Sequence, residues 1–521
     1  MHISLIDTDS NWAWGVRMIS AVLKREGYKT RLLLMAKTGD HYSKTELAQL
    51  ESSVRDSDVI GISCGSGGHM RARSILEHLR PLGKLLVWGG IHATLNPKEC
   101  AQYADLVCVG EGEGMIVDLV RRLESSRTWT DILNIAYRVG ERFIANPIRP
   151  LIEKMDELPL LDFSCEDELH LDDGKLVKNT STYHFAHHEI PFVGSRGCVF
   201  HCSYCCNGRL QEIYRGAGKY VRKHSIAECV SRPAILNRKF FPDAKYIFFV
   251  DDDFLDRTAT ELEEFARDFP AKAGLPFECN VSPVRVTRER IELLKRAGVW
   301  RIRMGVESGS EHTKKMVYHR AMPNSAVERA SAVLAHYPEI VRAYYFIIGN
   351  PFEEQQDLLE TIGLLLRLPA PYFVQAFNLI FFPGSDLFQR AVEAGLIGGM
   401  ADCGYDLHYR GGFKYKFHPW KRKNLYLNTI IFMMDGKVTR HRLGLLPRFL
   451  VPWLVKPRVL KLCNKSMLVP NVMIAAKLHL LEARTLLGGA IKRVIRDPKI
   501  VYSPRAFVRD KFRQVFGTGS A

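Results

Sequence analysis

Twice along this chain short apolar runs alternate with helical patterns, and that alternation limits the possible folds more than any other feature. In residues 1–150 the runs fall at Ile3–Asp7, Thr30–Met35, Val59–Ser63, Leu85–Gly89 and Leu106–Gly110. Helical periodicity separates them near Val16–Glu26, Ser43–Asp56 and Ala72–Leu82 and follows them at Gly114–Glu124. Runs that stay apolar at every position suit strands covered on both faces, so this α/β stretch predicts a doubly wound, Rossmann-like parallel sheet. In residues 191–400 six more runs occur: Pro191–Ser195, Tyr246–Val250, Phe277–Ser282, Arg301–Glu307, Ala343–Gly349 and Ala376–Phe382. Helical patterns separate these as well, which predicts parallel strands with a site on the loops at their C-terminal ends. Residues 151–190 are polar and punctuated by Asp156-Glu157-Leu158-Pro159 and Asp172-Asp173-Gly174, and read as a linker. With 521 residues the chain exceeds one ordinary core, in keeping with two or three domains.

Ligands of a doubly wound sheet bind beyond the carboxyl ends of its strands. Here those ends read Ser63-Cys64-Gly65-Ser66-Gly67-Gly68, Gly89-Gly90-Ile91-His92 and Gly110-Glu111-Gly112-Glu113-Gly114. Small residues at three tips let a bulky ligand approach backbone amides. None is a G-x-G-x-x-G opening the first helix, which argues against a nicotinamide or flavin nucleotide.

The second block begins with Gly194-Ser195-Arg196-Gly197-Cys198-Val199-Phe200-His201-Cys202-Ser203-Tyr204-Cys205, three cysteines spaced C-x3-C-x2-C just after its first strand. Three thiolates leave one position of an iron–sulfur cluster open to an outside ligand, the logic of a catalytic centre. A zinc knuckle built from these cysteines with His201 or Cys206 is the alternative. Zinc sites usually pair two such hooks, and no second hook follows within a finger's length. Cys64, Cys108, Cys229 and Cys279 fall in apolar or strand-like runs and read as packing. The start Met1–Asp7 lacks the basic residues and cleavage site of a signal peptide, so reduced thiols and a cytoplasmic setting are expected.

This cysteine spacing, with Tyr204 before the last cysteine and Gly305-Val306-Glu307-Ser308-Gly309-Ser310 ending the fourth strand, resembles the radical S-adenosylmethionine enzymes. The resemblance implies an incomplete (β/α)6 barrel over 191–400, with a 4Fe-4S cluster on Cys198, Cys202 and Cys205. S-adenosylmethionine would bind the open iron and be cleaved to a 5′-deoxyadenosyl radical. Tyr204, Asp251, Asp252, Glu307 and Ser308 would lie beside it, Glu307 at the ribose. Asp251-Asp252-Asp253 has a bland reading too, since helix capping accounts for at least one of the three. The N-terminal order of elements, with V-W-G-G-I-H-A-T and V-G-E-G-E-G, is similar to the cobalamin-binding domain that precedes many of these barrels. It implies cobalamin at Ser63, Gly65, Gly89, Gly90, Gly110, Glu111 and Gly112. The D-x-H-x-x-G of methyl-transferring cobalamin proteins is missing after the first strand, where Asp7–Trp14 holds no histidine. One such string at Asp406–Gly411 follows no strand of the sheet, so the cobalt is expected to lack a histidine from this domain. His184, His187 and His188 are read as polar loop.

Charge is confined to one end. From Lys421 to Ala521, 21 Lys and Arg face four acids, a net of +17, while the whole chain carries +16. The mainly helical region 401–521 mixes Trp453 and leucines with cations in uncharged runs of about eleven residues, short of the ~18–20 that span a bilayer. A peripheral contact with the inner membrane face and a helical cap over the barrel are equally consistent with it. RNA ranks lower, because aromatics are not interleaved as stacking platforms. The family's best-known members imply a class B methylase that methylates an unactivated carbon of a small or lipid-like molecule. A donor such as flavodoxin or ferredoxin would supply its electrons. A cobalamin-dependent cyclase or rearrangement catalyst without methyl transfer, and a non-enzymatic zinc protein, are the alternatives.

Overall fold

The computed structural model describes residues 1–9, 12–37, 41–179, 189–399, 424–464, 468–474 and 476–477. The D-x-H-x-x-G string at 406–411 and the histidines at 184, 187 and 188 lie outside them.

The apolar runs of the first block form β1 (His2–Asp7), β2 (Lys29–Leu34), β3 (Val59–Ser63), β4 (Leu85–Gly89) and β5 (Leu106–Cys108). They pair in parallel in the order β5-β4-β3-β1-β2. Their continuous apolarity is explained by cover on both sides. Helices Trp14–Arg25 and Glu113–Glu124 bury Val16, Leu23, Ile116 and Leu119 on one face. Helices Lys44–Val54 and His69–Leu79 bury Leu50, Val54, Ile75 and Leu76 on the other. The strand order reverses between β1 and β3, which is where a doubly wound sheet opens a crevice for a ligand.

Four strands extend this sheet. The antiparallel pair β6 (Ile135–Val139) and β7 (Arg142–Ala145) continues it beyond β5. On the opposite edge β8 (Glu168–Asp172) runs parallel to β2 and turns back into β9 (Lys175–Lys178). The supposed linker is therefore corrected: residues 168–178 belong to the first sheet. What holds them is a buried ion pair. Arg17 from the first helix reaches both carboxylate oxygens of Glu168, at 2.8 and 2.9 Å.

The second block supplies β10 (Glu189–Phe192), a short β11 (Ser195–Arg196), β12 (Arg222–Lys223), β13 (Tyr246–Phe249), β14 (Phe277–Val281), β15 (Val299–Glu307), β16 (Val341–Ile348) and β17 (Tyr372–Asn378). Strands β10, β13, β14, β15, β16 and β17 are parallel neighbours in chain order. The outer edge of β17 pairs with the antiparallel β18 (Gly436–Val438) and not with β10, so the barrel stays open. Phe249, Phe254, Phe265, Phe269 and Phe277 pack between β13, β14 and helix Ala259–Ala273, with ring centroids 4.5–5.8 Å apart. The sixth strand lies four residues earlier than its apolar run, because the half-buried Gln375, between buried Val374 and Ala376, interrupts the sequence signal.

Helix Leu425–Met434, in the basic C-terminal stretch, is buried in the barrel core. Its Asn428 accepts the Gly349 N–H at 2.7 Å, and Asn424 donates to the Glu353 carbonyl at 2.9 Å. This helix carries no basic side chain and is part of the barrel's own packing, so it is neither a solvated basic face nor a membrane surface.

Candidate active site

The cysteine loop lies between β11 and β12, whose antiparallel pairing of Ser195 with Lys223 closes it like a clasp. Gly197 has a φ of +90°, and a Cβ there would lie 2.6 Å from the Tyr220 carbonyl, so this position must be glycine. Gln211, on the helix Cys206–Ile213, donates to the carbonyls of Cys198 and Phe200 at 2.9 and 3.1 Å. The N–H of Ser203 reaches the Tyr318 carbonyl at 3.0 Å, and its own carbonyl accepts from Leu387 at 2.9 Å. The loop is thereby fixed from three sides.

The three thiols differ. Burial pushes Cys198 up to about 12 and also raises Cys202. The neighbouring Cys206 thiol and the Asn207 N–H hold Cys205 down at about 7. Two side-chain N–H groups point at sulfur, Arg320 Nη1 at 3.5 Å from Cys202 Sγ and Asn207 Nδ2 at 3.7 Å from Cys205 Sγ, and the Tyr204 hydroxyl also hydrogen-bonds Cys202. Donors aimed at thiolate sulfur suit a metal–sulfur centre of negative charge.

The structure sorts the residues expected beside this loop. Glu307 closes β15 with a φ of +68°, a strained geometry for a non-glycine residue that clusters at functional sites. A Cβ on Gly305 would sit 2.5 Å from its Oε1, so the glycine makes room for the carboxylate. Burial raises the Glu307 carboxyl, while Arg320 and the Tyr204 hydroxyl oppose that shift. Tyr204 packs edge-on against Tyr318 at 5.0 Å. Asp252 accepts from Asn207 at 3.2 Å and so faces the cysteine loop.

Two expectations need correction. Asp251 is buried, accepts the Gly194 N–H at 2.6 Å and pairs with Arg257 at 2.8 Å, so its carboxylate fastens the end of β10. Ser308 is buried with its hydroxyl 3.0 Å from Glu353 Oε1, again an internal tie. Asp253 caps the turn Phe254–Asp256, as the bland reading has it.

At the first sheet, Ser63 and Gly90 meet at the crevice: a Cβ on Gly90, whose φ is +95°, would lie 2.8 Å from Ser63 Oγ. Gly89 packs beside Cys108, and Gly112 beside Ile19 and Cys108. The Gly65 N–H donates to Asp9, and Asp9 pairs with Arg71 at 3.1 Å. His92 is buried with Nε2 2.9 Å from Glu99 and its ring stacked on His69 at 4.8 Å. Its imidazole is thus committed inside the domain.

Glu111 is the third correction. Its carboxylate accepts from Arg196 at 2.8 Å, from Arg222 at 2.9 Å and from the Ile152 N–H at 3.0 Å, and Arg196 also reaches Glu113 at 2.6 Å. Arg196 and Arg222 belong to β11 and β12, so this network joins the tip of β5 to the cysteine loop. Other contacts lie beside it. Gly110, with a φ of +97°, packs on the Tyr214 hydroxyl, and Gly384 packs on Leu95. Asn96 reaches the Pro383 carbonyl at 3.4 Å. The strand tips of the two sheets face each other across one interface. Sequence reasoning missed Arg196, Arg222, Asn207 and Arg320. Only Arg196 and Asn207 carried a signal, their closeness to the cysteines.

A doubly wound domain set tip to tip against an open βα barrel with a three-thiol loop defines a two-domain enzyme of the radical S-adenosylmethionine class. Residues 192–365 match the family model of the Radical SAM superfamily, and residues 13–120 match that of the B12 binding domain. The chain belongs to the cobalamin-binding radical S-adenosylmethionine enzymes. It is 26% identical over 353 residues to an uncharacterised methyltransferase of Pyrococcus horikoshii, covering 66% of this chain and 71% of that protein. Over 353 residues it is also 26% identical to the bacteriochlorophyllide d C-8(2)-methyltransferase of Chlorobaculum tepidum, covering 66% and 70%. Its fold is similar to the structure of TsrM, a radical S-adenosylmethionine methyltransferase from Kitasatospora setae, with cobalamin and a [4Fe-4S] cluster bound. There the TM-score is 0.59 at 15% identity, covering 75% of this chain and 78% of the other.

Proposed function

We propose that this enzyme is a methylase that transfers a methyl group from cobalamin to an unactivated carbon of a small molecule. The observation that carries the reading is the interface itself, where the glycine-rich tips of the first sheet and the cysteine loop of the barrel confront each other through Glu111, Arg196 and Arg222. When bound, a 4Fe-4S cluster with S-adenosylmethionine supplies a hydrogen-abstracting radical, and cobalamin supplies the methyl group. Cys198, Cys202 and Cys205 would hold three irons and leave the fourth for the methionine amine and carboxylate. Glu307 would accept from the ribose hydroxyls, with Tyr204 in the cysteine loop and Asp252 facing it. Ser63, Gly65, Gly89, Gly90, Gly110 and Gly112 would give the corrin and its tail close approach to the backbone. An enzyme of this class takes a small-molecule substrate and draws its electrons from a donor. We assign the donor to the flavodoxin or ferredoxin type. The test is transfer of a labelled methyl group from S-adenosylmethionine to an acceptor, in the absence of oxygen and only when cobalamin is bound.

Because His92 is committed to Glu99 and the first-strand loop offers no imidazole, cobalamin should bind without a histidine from this domain. With the cofactor expected to bind base-off, electron paramagnetic resonance of the cob(II)alamin form should show no nitrogen superhyperfine splitting. A nitrogen pattern that disappears in His92→Ala would contradict the assignment.

A finer reading concerns the surface around 448–474. Phe449, Trp453, Leu462, Leu468 and Val472 are more than half exposed there, beside exposed Lys456, Arg458 and Lys461. No helix among the described residues is long and apolar enough to cross a membrane. Apolar anchors ringed by cations suit an anionic lipid surface, where each cation contributes about 1 kcal/mol. Such a surface would also present a lipid-like substrate. Removing residues 421–521 would strip helix Leu425–Met434 from the core, so the variant to use is Trp453→Glu with Leu462→Glu. It is expected to lose co-sedimentation with phosphatidylglycerol vesicles while keeping its melting temperature. Equal sedimentation of both proteins would remove the membrane role.

A further inference from the structure

One charged side chain at the cysteine loop has no part in the roles above. Arg320 follows the π-helical turn Thr313–Val317 and reaches back under β15. Its Nη1 lies 3.5 Å from Cys202 Sγ, and its Nη2 donates to the Gly305 carbonyl at 3.3 Å. The guanidinium carbon stands 5.1 Å from the centroid of the Phe200 ring, inside the same loop. Three contacts thus fix the plane of the guanidinium. It is held between a sulfur, a carbonyl and an aromatic face, and is not swinging in solvent. Its Nε is buried without a hydrogen-bond partner among the described residues, so the fork commits its strength to the sulfur and the carbonyl.

We infer that Arg320 sets the reduction potential of the cluster by donating a charge-assisted hydrogen bond to the Cys202 sulfur. This rests on the reading that Cys198, Cys202 and Cys205 hold the cluster. Adding one electron to a cluster on three thiolates makes it more negative. A fixed cation against one of those sulfurs stabilises the reduced form more than the oxidised form. The Gly305 carbonyl keeps the guanidinium from turning away to pair fully with Glu307, whose carboxylate shares the space that Gly305 leaves open. Arg320 is therefore a positioning and tuning residue. Through the Cys202 sulfur it would decide how readily a one-electron donor can charge the centre.

The experiment is an anaerobic redox titration of the full-length enzyme with cobalamin bound, following the reduced-cluster and cob(II)alamin resonances separately. Arg320→Gln is expected to retain its iron. Its reduced-to-oxidised ratio at a fixed potential should fall about tenfold, the size of one lost hydrogen bond to a charged group. For a one-electron couple that is a midpoint about 59 mV lower. Arg320→Lys keeps the charge but loses the fork, and should shift the midpoint in the same direction by less. It decides the matter if the glutamine variant loses its iron. The cobalamin midpoint should stay where it is in both variants. Unchanged or raised cluster midpoints would overturn the inference, and so would equal shifts of the cluster and cobalamin couples. If the unaltered enzyme assembles no cluster, it is the cluster reading that fails, and the two failures are told apart by iron content alone.

Discussion

Cys198→Ala, Cys202→Ala and Cys205→Ala are each expected to lose the cluster iron and all turnover, whereas Cys206→Ala should keep both iron and fold. The three cysteines lie on a loop fixed by Gln211, by the Ser203 contacts and by the β11–β12 pairing, which holds their three thiols in one constellation. Cys206 does not sit in an extended loop, as adjacency alone would suggest. It opens the helix Cys206–Ile213, with Cys205 as the preceding cap. From there its thiol serves Cys205 as a hydrogen-bond neighbour, which helps hold Cys205 at about 7. Iron quantification after anaerobic reconstitution checks the four variants together. Full iron in any of the first three, or none in Cys206→Ala, would remove the assignment.

The second large effect is on stability. Arg17→Met is expected to destabilise the first domain by about 3–5 kcal/mol, because it removes the guanidinium from the buried Glu168 carboxylate and leaves it only His170 and Asn179. Arg17 and Glu168 are 0% and 1% exposed, and Arg17 also donates to the Asp162 carbonyl at 2.7 Å. The pair with Glu168→Leu should recover much of the loss, since two apolar side chains of similar volume pack without an orphaned charge. The pH dependence has a definite sign. Burial alone would raise the Glu168 carboxyl, but hydrogen bonds from His170 and Arg17 overcome it and hold the group at about 2. A carboxyl depressed in the folded state stabilises above its unfolded value of about 4.3, and that contribution drains away as pH falls toward 2. Urea midpoints for the single and double variants at neutral pH, and for the unaltered protein down to pH 3, measure both claims. Equal midpoints for Arg17→Met and the unaltered protein would show that the pair does not hold β8.

That same pair explains what the sequence concealed. Strands β1 to β5 and the six barrel strands are legible because their buried positions are apolar and local. Strand β8 buries Glu168 and His170, so its pattern is polar, and the residue that makes burial tolerable lies 151 positions away. The site divides in the same manner. Cysteine spacing and Gly305-x-Glu307 are local, and both are readable. Asp251, Ser308 and Glu111 have the right chemistry at strand ends, but partners 57, 45 and 85 residues distant spend it on the fold and on the domain interface. Residue type shows what a side chain can do, and only the fold shows which partner claims it. Arg320 is the converse case, since it carries no motif and the barrel brings it to Cys202 from 118 residues away.

The two facing cofactor sites are proposed to work as one to move a methyl group. That joint action is tested most directly by incubating the reconstituted enzyme, without oxygen, with a one-electron reductant, cobalamin and S-adenosylmethionine bearing a trideuterated methyl group. Extract of the source cells supplies the acceptor. One product should gain the mass of a single trideuterated methyl group, accompanied by 5′-deoxyadenosine. Both should vanish in Cys202→Ala, and the labelled product alone should vanish when cobalamin is left out. Formation of 5′-deoxyadenosine with an altered product that carries no label would contradict methyl transfer and point to cyclisation or rearrangement at the same site.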